Sequence, residues 1–72
     1  MKKEVAKLFI SKFVKVERQR PGDERPFYLF GLLEDVDDEN LILRTKTGLG
    51  TVRLVDTVSM NETQERGIDV KD

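Results

Sequence analysis

Three features of the sequence predict a mainly β domain with a short N-terminal α-helix. The hydrophobic period changes from helical to alternating near Ser11, a series of short apolar or alternating runs follows, and turn residues separate those runs. Alternation of apolar and polar side chains marks a strand with one buried face, and short strands at regular spacing with tight turns between them build a sandwich or small barrel. The chain has 72 residues, enough for one domain. With so few residues, a strongly bent five-stranded antiparallel barrel leaves the least open sheet edge. The predicted architecture is therefore a helix followed by such a barrel over residues 1–60.

The helix is expected at about residues 3–10, where Val5, Leu8 and Phe9 follow the i, i+3, i+4 spacing of an apolar stripe. No Ser, Thr, Asp or Asn caps its start, and Lys2 and Lys3 oppose the helix dipole, so packing must hold it. The first strand is expected at residues 12–19, where Val14 and Val16 alternate with charged side chains. Arg20-Pro21-Gly22-Asp23 then reads as a turn, with proline presetting φ and glycine supplying a positive φ.

The second strand, residues 26–36, places Tyr28, Phe30 and Leu32 on one face and Phe27, Leu29, Gly31 and Leu33 on the other. Both faces are apolar over the first half, so both are expected to be covered. The helix or another subunit would cover the second, which makes Tyr28, Phe30 and Leu32 the candidate oligomer interface. Gly31 in mid-strand predicts a sharp bend or a close backbone approach. Asp37-Asp38-Glu39-Asn40 is a tight acidic turn into a strand at residues 40–46. Thr47-Gly48-Leu49-Gly50 is expected as a hairpin connection, followed by strands at 50–55 and 57–61. Residues 61–72, in which only Ile68 and Val70 are apolar, are expected to form a polar, flexible tail.

Composition narrows function. The chain has no cysteine and no histidine, which excludes disulfides and the common zinc sites and removes the usual base for a catalytic nucleophile. Asp35, Asp37 and Glu39 have alternating spacing, but the turn glycine and closing glutamate of a calcium loop are replaced by Asn40 and Lys46. The protein is therefore expected not to be an enzyme and to hold no cofactor or metal. A core this small usually needs a further staple, and with disulfides and metals excluded that staple is self-association into a homo-oligomer.

Residues 1–20 carry seven basic and two acidic side chains, a balance of +5. The remainder carries six basic and twelve acidic, a balance of −6. Such asymmetry suits a nucleic-acid contact, two solvated faces, or basic and acidic faces of neighbouring subunits meeting. No apolar run reaches the length of a membrane span, and Lys2, Lys3, Glu4, Lys7 and Lys12 leave no secretory h-region, so a cytoplasmic protein without membrane contact is expected.

The segment Phe30-Gly31-Leu32-Leu33-Glu34-Asp35-Val36-Asp37-Asp38-Glu39-Asn40-Leu41-Ile42-Leu43 resembles the first motif of the Sm-like family, which includes Sm, Lsm and Hfq-type proteins. The matching positions are Gly31, Leu33, Asp37 and Asn40, and the resemblance covers about residues 3–60. It implies an Sm-like, SH3-like barrel that assembles into rings and binds single-stranded RNA. The family's second motif, an aliphatic residue followed by Arg-Gly, has Leu54-Val55 in its place, and Arg53 is the nearest basic group. The same region is also similar to the C-terminal domain of the bacterial ribosome maturation factor, a partner-binding module that forms no ring.

The resemblance makes Asp37, Asn40 and Arg53 the candidate RNA-binding residues, with Lys46 as a phosphate contact. Arg44, Lys46 and Arg53 are expected to form one basic group across the third and fourth strands. The alternative is a protein-interaction or assembly module on the same barrel with a protein partner and no nucleic-acid role, favoured by the absent Arg-Gly motif and the acidic turn.

Overall fold

The computed structural model describes residues 1–64, in the order α1 (Lys3–Lys7), β1 (Phe13–Arg18), β2 (Phe27–Val36), β3 (Asn40–Thr45), β4 (Gly48–Arg53), a 3-10 turn (Leu54–Asp56) and β5 (Thr57–Glu62). The five strands form one antiparallel sheet in the order β4-β3-β2-β1-β5. The architecture is mainly β with an N-terminal helix, as the change of period requires.

β2 organises the sheet. Its first half pairs with β1, from Arg18↔Phe27 to Phe13↔Leu32, and its second half pairs with β3, from Leu32↔Arg44 to Val36↔Leu41. Leu32 thus has partners on both sides, and the register shifts between Leu33 and Asp35. A bulge of this kind bends a strand and increases its twist. At the same point Gly31 lets β3 come close, because a Cβ there would stand 2.7 Å from the carbonyl oxygen of Arg44. This is the close approach that a mid-strand glycine predicts.

One core results. Val14 and Val16 of β1, Leu33 and Val36 of β2, Leu41 and Leu43 of β3, Val52 of β4 and Met60 of β5 are buried in a single cluster with Ala6 and Leu54. Residues from both outermost strands share that cluster, and a five-residue helix is too short to cover a flat five-stranded sheet. The sheet must therefore curl over its own inner face. It does not close: among the described residues no ladder joins β4 to β5. The 3-10 turn spans that gap, with Leu54 N donating to Glu39 O at 2.8 Å and Gln19 N donating to Asp56 O at 2.9 Å.

Element bounds differ from the sequence expectation where local hydrogen bonding decides. The helix ends at Lys7, short of residue 10, and Leu8, Phe9 and Ile10 continue in i→i−3 turns. Tighter winding stacks residues three apart, so Phe9 falls on the face of buried Ala6 while Leu8 is 73% exposed and Val5 45%. The expected Val5–Leu8–Phe9 stripe is thereby replaced by Ala6, Phe9 and Ile10, joined by Met1. β4 begins at Gly48, so the glycines lie in the strand and the connection is only Lys46-Thr47. Gly48 has φ +128 and Thr45 Oγ1 donates to its carbonyl, which lets the chain reverse in so few residues. Leu54–Asp56 is a 3-10 turn rather than the end of a strand to residue 55. Asn61 and Glu62 belong to β5, Thr63 N donates to Phe13 O at 2.9 Å, and residues 65–72 of the expected tail lie outside the described residues.

No helix among the described residues is long and apolar enough to cross a membrane.

Candidate nucleic-acid interface

The β2–β3 loop is shaped by one carboxylate. Asp37 Oδ1 accepts from the backbone N–H of Glu39 at 2.9 Å and of Asn40 at 2.7 Å, and Asp37 N donates to Asn40 O at 3.0 Å. An aspartate that bonds the backbone two and three residues on makes an Asx turn, which is why an acidic residue leads this tight connection. Its first role is therefore to fix the loop and deliver Asn40 to the start of β3.

Asn40 stands directly opposite Arg53 across the β3–β4 ladder. Arg53 is exposed and holds the start of the 3-10 turn, where Thr57 Oγ1 donates to its carbonyl at 3.0 Å. The fold thus brings Asp37, Asn40 and Arg53 to one end of the sheet, although Arg53 lies 13 residues beyond Asn40 in sequence. The amide of asparagine offers donors and an acceptor, and guanidinium offers a planar donor fork. Together these groups can engage the edge of a base or a carboxamide.

Lys46 does not join them. It sits in the β3–β4 connection at the far end of β3, about 17 Å away at the usual rise per strand residue. Arg44 also leaves the expected basic group, because its Nε donates to the Glu34 carboxylate. The basic group across β3 and β4 is thereby divided, since the strands run the length of the sheet between Arg53 and Lys46.

The surroundings of the cluster are acidic. Asp37, Asp38, Glu39 and Asn40 line an open, shallow depression. Lys3 at the start of α1 reaches the loop and donates to Asp38 Oδ1 at 2.6 Å. This hydrogen bond, then the ammonium charge, holds the Asp38 carboxyl below the usual carboxylate range and raises Lys3 in return. The pair is largely exposed, so it orients the helix on the loop while adding little stability. Among the described residues no cluster of three acidic side chains is arranged to hold a metal ion.

A second set of groups joins Lys15, which the sequence pattern did not single out, to Tyr28 and Phe30, which it assigned to an oligomer interface. On the outer face of the β1–β2 hairpin, Lys15 Nζ lies 4.7 Å from the ring centroid of Tyr28 and 5.9 Å from that of Phe30. The signal for it was the cross-strand register, which pairs Lys15 with Phe30 and only follows once the turn length is known. Of the candidate interface residues, Tyr28 is exposed, and Phe30 and Leu32 are half-buried, all on this outer face.

Fold and site together define a small, curled five-stranded domain with Asp37, Asn40 and Arg53 at one end of its sheet. No protein-family model matches the chain, and no curated protein and no solved structure matches it either.

Proposed function

We propose that the chain is a non-enzymatic, single-stranded RNA-binding protein of Sm-like type that acts as a homo-oligomer. The observation that supports this reading most is the juxtaposition of Asn40 with Arg53 beside the Asp37 turn. Asp37 of the β2–β3 turn, Asn40 at the start of β3 and Arg53 at the end of β4 share one end of the sheet. Unpaired bases would be recognised there by hydrogen bonds to their edges. Among the described residues Arg53 is the cation of the cluster, Lys3 at the neighbouring loop being paired with Asp38, so binding should depend weakly on salt, with a slope near the −0.7 per phosphate contact of single strands. In fluorescence anisotropy with short U-rich and A-rich RNAs at low salt, Asn40→Ala and Arg53→Ala are each expected to weaken binding fivefold or more. Absence of RNA binding by the unaltered protein would refute the reading.

Self-association is the second part of the proposal, and the edges of the sheet support it. β4 and β5 are both outermost strands, and each carries an exposed apolar residue, Leu49 on β4 and Val58 on β5. Unpaired strand edges with apolar side chains are templates for pairing with another chain. Joining β4 of one copy to β5 of the next is a head-to-tail contact, which closes into a ring when the rotation permits. Val58→Lys is expected to lower the subunit number measured by light scattering. A monomeric unaltered protein at high concentration would count against any ring.

The same loop favours a second reading. Asp37, Asp38 and Glu39 are all exposed around the cluster, and carboxylates repel a phosphate backbone. An assembly module without nucleic acid would keep the oligomer and show no RNA binding in the same two measurements.

A further inference from the structure

We infer that the outer face of the β1–β2 hairpin, around Tyr28, Phe30 and Lys15, is a stacking site for unpaired bases, separate from the Asn40–Arg53 end. The inference rests on the RNA-binding reading above and adds a site to it. Tyr28 and Phe30 are two residues apart on one strand, so their rings share a face about 7 Å apart along it. Tyr28 is 46% exposed and Phe30 is half-buried. Lys15 lies over both rings, within the range of a cation–π contact, and makes no salt bridge among the described residues. Arg18 lies over the ring of Phe27, at 4.7 Å from its centroid, but this pair is on the opposite face of the hairpin and takes no part in the site. This hairpin starts in the basic part of the chain, where residues 1–20 carry the balance of +5.

The cation selects the occupant. An apolar partner covering the two rings would strip water from the Lys15 ammonium and supply no anion, which is unfavourable. An acidic peptide would satisfy the ammonium but bring no flat faces to the rings. A single strand supplies both, a phosphate for the ammonium and a planar base for each ring, and aromatic rings beside cations are the usual platform for it. Around the rings the face is polar, with Asn61 opposite Lys15, and it carries one carboxylate, Glu17, which stands opposite Tyr28 and accepts from Ser59 Oγ at 3.1 Å.

The chain offers a direct readout, because Tyr28 is its only tyrosine and it has no tryptophan. The full-length protein would be titrated with U-rich RNA, A-rich RNA and an abasic ribose-phosphate strand of equal length. Anisotropy and tyrosine emission would both be followed. Either base-containing RNA is expected to quench the emission, and the abasic strand to bind weakly without quenching. Tyr28→Ala should weaken binding about tenfold or more, as expected for loss of one stacked base, while Tyr28→Phe stays within about twofold. Lys15→Ala should reduce the salt slope by the share of one phosphate, and it tests the site even if Tyr28→Ala fails to fold.

RNA binding without quenching, unaffected by Tyr28→Ala and Lys15→Ala, would overturn the stacking site and leave the Asn40–Arg53 reading standing. No binding to any RNA would overturn both. A change of subunit number in Tyr28→Ala, with no RNA bound by the unaltered protein, would mark the face as a protein contact and likewise overturn the inference.

Discussion

Leu33→Ala is expected to cost about 2–5 kcal/mol, the usual range for truncating a buried leucine. Leu33 has no exposed surface and lies opposite Leu43, where β2 passes from its pairing with β1 to its pairing with β3. Both of its backbone groups are bonded to the segment leading into β1, since its N–H donates to Lys12 O and its carbonyl accepts from Ser11 N. The walls of the resulting cavity are strands held by ladders, so they cannot collapse far. A domain of this size has a total stability on the order of 4–11 kcal/mol. Urea titration followed by far-UV circular dichroism should therefore show a much lower midpoint or no folded baseline. A midpoint within experimental error of the unaltered protein would mean that Leu33 is not in the core described.

Gly31→Ala is expected to be nearly as damaging, although it adds one methyl group to a strand that would otherwise favour alanine over glycine. The new Cβ would meet the carbonyl oxygen of Arg44 at 2.7 Å and its carbonyl carbon at 3.3 Å. Those atoms belong to a ladder and cannot rotate away as a side chain would. β3 must then move off β2 at the point where the sheet bends, and forced shifts of that kind cost about 1–3 kcal/mol or more. Thermal melts compared with Gly50→Ala, whose Cβ would meet nothing within 4 Å, separate this effect from the intrinsic preference of glycine. Equal melting temperatures for the two variants would show that β3 does not approach Gly31 closely.

Both positions show what could be read before the fold was known. Gly31 announced a bend or close approach because glycine in an apolar strand has few other uses. It did not say which backbone would approach, and that depends on β2 having two neighbours at Leu32. The Asp37 turn was equally legible, since an aspartate leading a four-residue connection acts through bonds to its own backbone neighbours. The grouping of Arg44, Lys46 and Arg53 was not. Nearness in sequence suggested one basic patch, whereas strands of six residues carry their ends far apart and Glu34 takes up Arg44. The helical stripe failed for a smaller reason. A switch from α to 3-10 winding after Lys7 rotates Leu8 outward, and the spacing of apolar residues fits either winding over so short a stretch.

Features that depend on neighbours in the chain could be read from the residues alone: the mainly β class, the turns at Gly22 and Asp37, and the lack of cysteine and histidine chemistry. Features that depend on strand pairing needed the folded chain. The register set Asn40 against Arg53 and Lys15 beside Tyr28 and Phe30, and the curl of the sheet left β4 and β5 as open edges. A one-residue slip in pairing would reverse the face of every side chain in a strand. Local composition scarcely changes with such a slip, so the register comes from burial of the whole core.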